Sequence, residues 1–213
     1  MKIERDDVVA VLLAGGLARR MGGGDKCLRD VGGRSILNHV LDRISGQVSR
    51  CVLNANGDAS RFDDFGLPVV ADVVEGFAGP LAGVLTGLEW VRANAPQCRW
   101  IVSVPTDGPF VPRDLVPSLA QAVEREGADL ACAKSGDRTH PVAGLWPVSL
   151  TDDLRRALVD EEIRKVDVWT ARHRLVELTF PFIETGVGPV DPFFNANRPE
   201  DLEEAQKYLA AGA

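Results

Sequence analysis

The run Val8-Val9-Ala10-Val11-Leu12-Leu13 is apolar at every position and stops at Ala14-Gly15-Gly16. Six residues are too few for a buried helix, and glycine closes the run. It therefore reads as a β-strand covered on both faces, which requires helices on the two sides of a sheet. The chain goes on to supply them. Ser35 reads as the N-cap of a helix whose Ile36, Leu37, Val40, Leu41 and Ile44 recur at helical spacing. Cys51-Val52-Leu53 and Val69-Val70-Ala71 read as strands, and Pro80 sits in the first turn of a helix carrying Leu81, Val84, Leu85, Leu88 and Val91. Residues 100–104 form another buried strand, and Asp114 is a candidate cap for a helix with Leu115, Leu119 and Val123. Strands over 130–133 and 142–146 flank a polar turn, followed by a helix over 152–159, a strand over 175–180 and a last helix over 199–209. Alternation of this kind predicts an α/β fold with a mostly parallel sheet, and no linker or repeat divides it. Such folds bind ligands beyond the carboxyl ends of their strands, which selects the loops after Leu13, Val70 and Val104.

The 213 residues suffice for one domain with a sizeable core. A formal charge of −7 argues against a basic nucleic-acid groove, though not against a small phosphate pocket with a few local cations. No apolar run reaches membrane-spanning length, and Met1 to Asp7 lack the apolar segment of a secretory signal, so a cytoplasmic protein is expected. Cys27, Cys51, Cys98 and Cys132 are scattered, with no zinc-type spacing. Three of them read as buried hydrophobes. Cys27, in the glycine-rich loop, is expected to be more exposed, but no paired base marks it as a nucleophile.

That loop carries the chemistry. It reads Leu13-Ala14-Gly15-Gly16-Leu17-Ala18-Arg19-Arg20-Met21-Gly22-Gly23-Gly24-Asp25-Lys26. Its glycines let the backbone approach a ligand closely, successive N–H groups can cradle an anion, and Arg19, Arg20 and Lys26 add three cations. Asp25-Lys26-Cys27 departs from the Gly-Lys-Ser/Thr of a P-loop, and the glycine spacing departs from a dinucleotide fingerprint.

The loop resembles the G-G-x-x-x-R-M-G-x-x-K signature of nucleotidyltransferases with a Rossmann-like sheet. In detail it resembles the molybdenum cofactor guanylyltransferase family. Further stretches resemble that family in order: Leu53-Asn54-Ala55-Asn56, Val70-Ala71-Asp72, Gly79-Pro80-Leu81-Ala82-Gly83, Val104-Pro105-Thr106-Asp107-Gly108-Pro109-Phe110, a turn with Arg138-Thr139-His140-Pro141, and Asn195-Ala196-Asn197-Arg198-Pro199-Glu200. Gly108 stands where the family more often has Thr or Met, and residues 161–174 match no motif and are a candidate neighbour of the acceptor. The resemblance implies a single three-layer Rossmann-like nucleotidyltransferase domain over 1–213, with nucleotide binding in about 7–110 and acceptor binding in about 111–213. It implies GMP transfer from GTP to molybdopterin or molybdenum-molybdopterin, with GTP held by Leu13, Ala14, Gly15, Lys26, Asn54, Asp72 and Asp107. A molybdenum-insertion enzyme and apo-oxidoreductases are the expected transient partners.

The residues support that chemistry on their own terms. Nucleotidyl transfer sets an anion against a polyanion, so cations and fixed dipoles are needed. The amides of Gly15 and Gly16 are candidates for the triphosphate, Arg19 for the leaving pyrophosphate, and Lys26 for the transferring phosphoryl group. Asp107 is the candidate Mg²⁺ ligand, since Mg²⁺ uses few carboxylates besides phosphate oxygens and water. A carboxylate such as Asp72 accepts from both N1–H and the N2 amine of guanine. Competing structural readings exist: a solvated turn for Arg19 and Arg20, a helix cap for Asp107 or Asn197, turn residues for Asn54 and Asp72, and a structural role for His140. Asn195 and Asn197 are further candidates for the metal and phosphate site, and His140 for the acceptor. Trp90, Trp100, Trp146 and Trp169 read as packing residues. Rival functions are a cytidylyltransferase on the same pterin, disfavoured by Ala14-Gly15-Gly16, a sugar-phosphate or polyol-phosphate nucleotidyltransferase, and a non-catalytic GTP-binding module.

Overall fold

Strand β1 (Val8–Leu13) lies at the centre of the sheet and alternates its side chains between two apolar layers. Val8, Ala10 and Leu12 face one, and Val9 and Val11 face the other. The computed structural model describes residues 2–15, 24–74, 76 and 79–213. Strands β4 (Arg50–Asn54), β5 (Val69–Val70), β6 (Trp100–Pro105), β7 (Leu130–Ser135), β8 (Arg138–Pro147) and β9 (Leu175–Phe180) join β1 in a seven-stranded sheet of order β5-β4-β1-β6-β8-β7-β9. Only β8 runs antiparallel to its neighbours. A small ribbon, β2 (Asp30–Val31) with β3 (Arg34–Ser35), precedes the first helix; its strands are too short to leave a periodic signal.

Helices α1 (Ile36–Ile44), α3 (Leu115–Glu126) and α6 (Pro199–Ala210) contribute to the layer containing Leu12. Helices α2 (Pro80–Asn94), α4 (Thr151–Val159) and α5 (Val166–Thr170) contribute to the layer containing Val11. The result is one three-layer α/β domain. Ser35 caps α1 as expected, its hydroxyl accepting from Asn38 N at 3.2 Å. Helix α2 approaches the sheet closely enough that a Cβ on Gly87 would fall 2.3 Å from Val11, and one on Gly83 2.4 Å from Asn54 Oδ1. Any larger residue would push the helix away from the strand ends it covers.

Several expectations change. Ala71 lies just beyond β5. Asp114 occupies the cap position of α3 without capping it; its carboxylate accepts from Ser118 Oγ, and Gln47 Oε1 takes the Val116 amide instead. Arg138 to Pro141 belong to β8 rather than to the turn. Residues 161–174 hold α5, which buries Trp169, and none of them lines the cavity described below. Trp146 and Trp169 are core residues, while Trp90 and Trp100 pack at its margins. Among the described residues no helix is long and apolar enough to cross a membrane.

Candidate functional site

The parallel strands end abreast. Leu13 pairs with Asn54 on one side and with Pro105 on the other, and Asn54 pairs with Val70. A cavity of about 500 Å³ opens beyond these ends. Leu13, Ala14, Gly15, Lys26, Asn54, Asp72 and Asp107 all line it. Residues spread over 95 positions are thus brought to one cavity, most of them by the register of four strands and Lys26 by a 3₁₀ turn. Gly16, Arg19 and Arg20 lie outside the described residues.

At one end of the cavity stands Lys26, with 8% of its surface exposed. Its Nζ donates to Asp107 Oδ2 at 3.0 Å and to Asn197 Oδ1 at 2.6 Å. Asp107 follows β6 and is pinned by its neighbours: Ala196 N donates to Asp107 O at 2.8 Å, and Thr106 Oγ1 to Leu13 O at 2.9 Å. The competing reading of Asn197 as a helix cap is displaced. Arg198 holds the cap position of α6, and the Asp201 carboxylate accepts from the Asn197 and Arg198 amides at 2.6 and 2.8 Å.

Gly108 explains how two distant segments meet here. A Cβ at this position would lie 1.8 Å from the Phe194 carbonyl oxygen, so only glycine lets the 193–196 segment rest on the Asp107 turn. That contact brings in Asn195. With its amide nitrogen toward Asp107, Asn195 donates to Asp107 Oδ1 at 3.0 Å and to Phe193 O at 3.2 Å. Turned over, the same amide presents an oxygen beside Asp107 Oδ1 and the Phe193 carbonyl. In that second orientation three oxygen atoms stand together, donors of the kind that Mg²⁺ takes.

The Ala14 amide donates to Asn54 O at 2.9 Å, so it is engaged in the sheet edge and the exposed Gly15 is the first residue whose backbone faces the cavity without that tie. Beyond it, Asn54 Nδ2 donates to Asp72 Oδ1 at 2.9 Å. Asn56 was not singled out by sequence reasoning, yet its Nδ2 donates to Asp72 Oδ2 at 2.8 Å and its Oδ1 accepts from Asp72 N at 2.8 Å. The alternation of Asn54-Ala55-Asn56 carried that signal, since residues two apart at a strand end share a face.

The opposite wall is built by β8. Its register against β7 slips after Cys132, leaving residues 141–143 unpaired with β7, next to a proline that has no amide to give the ladder. The bulge sets His140 and Pro141 to Ala143 against the cavity. His140 is buried, within 2.7 Å of Ser135 Oγ through Nε2, and stacked on Phe193 with ring centroids 4.5 Å apart. Burial lowers its pKa, Asp191 opposes that shift, and Arg138 adds to it. Cys27 is also buried, against expectation. Burial first, and the Asp25 carboxylate second, push its thiol up to about 11.

The MobA-like NTP transferase domain family matches residues 10–175. A molybdenum cofactor guanylyltransferase of Rhodopseudomonas palustris is 56% identical over 92% of this chain and 90% of its own length. One of Bradyrhizobium is 55% identical over 95% of this chain and 93% of its own. The crystal structure of molybdopterin-guanine dinucleotide biosynthesis protein A from Archaeoglobus fulgidus superposes with a TM-score of 0.70 at 24% identity, covering 95% of this chain and 98% of that one; it speaks for the fold.

Proposed function

The chain belongs to the molybdenum cofactor guanylyltransferase family, and we propose that it transfers GMP from GTP to molybdopterin or its molybdenum-bearing form, releasing pyrophosphate. The observation that carries this reading is the Lys26–Asp107–Asn197 cluster, standing on the same cavity as the Asp72 carboxylate. One end presents cationic and oxygen-donor groups suited to phosphates, and the other presents a carboxylate suited to guanine.

In the proposed reaction an oxygen of the acceptor phosphate attacks the α-phosphorus of GTP. The new P–O bond forms as the bond to the β-phosphate bridging oxygen breaks, and pyrophosphate leaves. The acceptor oxygen is already anionic, so no residue has to remove a proton. Lys26 supplies positive charge at the transferring phosphoryl group, and Arg19 is assigned to the departing pyrophosphate. The amides of Gly15 and Gly16 hold the triphosphate, with Leu13 and Ala14 bordering it. Asp107 is the assigned Mg²⁺ ligand, with Asn195 beside it; Mg²⁺, when bound, offsets phosphate charge. Asn54 and Asp72 hold the base. The acceptor sits against the later half of the chain, about 111–213, where Arg138, His140 and Phe193 border the cavity. The setting that fits this reaction is the cytoplasm, with brief contacts to a molybdenum-insertion enzyme and to apo-oxidoreductases.

The test is pyrophosphate release with Mg²⁺ from GTP, CTP and ATP, each with and without molybdopterin. Release that needs both GTP and the pterin supports the proposal. Faster release from CTP, or nucleotide binding with no release, rejects it in favour of a cytidylyltransferase or a binding module.

A further inference from the structure

Resting on the reading of Asp72 as the guanine acceptor, we infer that Asn56 and Arg61 are positioning residues for base selection, and that Arg61 ties the base carboxylate to the phosphate loop. Asp72 stands beyond the two-residue edge strand β5, where no ladder holds it. Asn56 replaces the ladder. Its amide group grips Asp72 at the side chain and at the backbone, both at 2.8 Å, while Asn54 holds the other carboxylate oxygen. Each carboxylate oxygen keeps a second acceptor position, so the grip fixes the plane of the group without consuming its capacity for N1–H and the N2 amine.

Asn56 itself is exposed and lies in the loop after β4, next to Gly57 at φ 85°. What anchors it is Arg61. The Nη2 of Arg61 donates to Asn56 O at 3.0 Å, and its Nε lies 2.8 Å from Asp25 Oδ2. The guanidinium carbon is 5.1 Å from the ring centroid of the buried Phe62. Gly57 leaves room for this arrangement, since a Cβ there would come within 3.1 Å of Arg61 Nη1. Asp25 has a side chain only 10% exposed and directly precedes Lys26. One planar fork therefore spans Asn56, which orients the base carboxylate, and Asp25, whose chain neighbour Lys26 lines the cavity. A lysine carries the same charge but has one nitrogen and no fixed fork, so it cannot reproduce both bonds in that geometry.

The experiment compares kcat/KM for GTP and for ITP, which lacks the N2 amine, in wild type, Asp72→Asn, Asn56→Ala, Arg61→Lys, Arg61→Ala and the double variant Asp25→Asn/Arg61→Ala. Thermal unfolding of each variant is recorded alongside. Asn56→Ala and all three Arg61 variants are expected to lower the GTP:ITP ratio about tenfold, the scale of one weakened hydrogen bond to a charged group, chiefly through KM for GTP. The double variant relieves the uncompensated Asp25 carboxylate, so it recovers Tm relative to Arg61→Ala while its ratio stays low. If Arg61→Lys or the double variant regains the wild-type ratio, Arg61 merely neutralises Asp25 and the inference is overturned. If Asp72→Asn lowers the ratio and the Asn56 and Arg61 variants do not, the inference fails alone. A wild-type ratio near one, or an unchanged ratio in Asp72→Asn, removes the base-recognition reading and the inference with it.

Discussion

The ammonium of Lys26 rests 3.0 Å from Asp107 Oδ2, joining positions 81 residues apart. Lys26 ends the glycine-rich loop and Asp107 follows β6, so the contact closes the loop onto the sheet edge. The two charges offset each other, and Asn197 holds the lysine from a third direction.

Removing Asp107 takes away the assigned metal ligand and one partner of Lys26. Asp107→Ala is expected to lower kcat by about 10³-fold, the upper end of what loss of one preorganised electrostatic group produces. Far- and near-UV circular dichroism should match wild type. Turnover at the wild-type rate in saturating Mg²⁺ would exclude Asp107 from the reaction.

Gly108 makes the steric prediction. Gly108→Ala puts a carbon where the Phe194 carbonyl oxygen stands, and backbone has to shift. Overpacking costs about 1–3 kcal/mol, which for a domain of this size lowers Tm by about 2–12 °C. The Ala196–Asp107 hydrogen bond should be lost with it, so kcat falls too. A variant with wild-type Tm and rate would mean that the 193–196 segment moves aside at no cost.

His140 gives a pH dependence. Its folded pKa lies below the ordinary value of 6.5 because burial disfavours the charged ring. The unfolded chain therefore binds the proton more readily. Its contribution to stability is fully present above the unfolded value and is lost as pH falls from about 6.5 toward the folded pKa. Urea unfolding at pH 7.5 and 5.5 should show a smaller loss for His140→Gln than for wild type. Equal losses would place the acid sensitivity elsewhere.

The four cysteines are free and buried, with Cys27 pushed to about 11 and Cys132 to about 12. The thiolate is the reactive form. A disulfide reagent at pH 8 should label none of them over minutes in the native protein and all four in denaturant. Fast native labelling of Cys27 would place that thiol at the surface.

How far the sequence could be read depended on what each element needed. The β1 run announced itself because both of its faces are covered, and α1 because Ser35 supplies a cap beside an apolar stripe. Lys26, Asp72 and Asp107 were singled out by motif and by the rule that places ligands at strand ends, and the structure brings all three to one cavity. Asn56 was missed because the Asn54-Ala55-Asn56 alternation marks a shared face but not the Asp72 partner that strand pairing brings to it, and Arg61 because a 3₁₀ turn leaves no periodic mark. The bulge at 141–143 depends on how β8 meets β7, and the burial of Cys27 depends on the loop folding back toward Thr106. Neither is written in local spacing.

A strand laid against the grain of its sheet has one more effect. Because β8 is reversed, the reversal joining it to β7 at Gly136 and Asp137 overhangs the working edge instead of the far side. One bank of the pocket thus belongs to an arm of that hairpin, Arg138 to Ala143, while Lys26, Asn54 and Asp107 are anchored to other segments. Residues added to or trimmed from that hairpin would reshape the bank for a larger or smaller ligand and leave the strand ends that carry Asn54 and Asp107 where they stand.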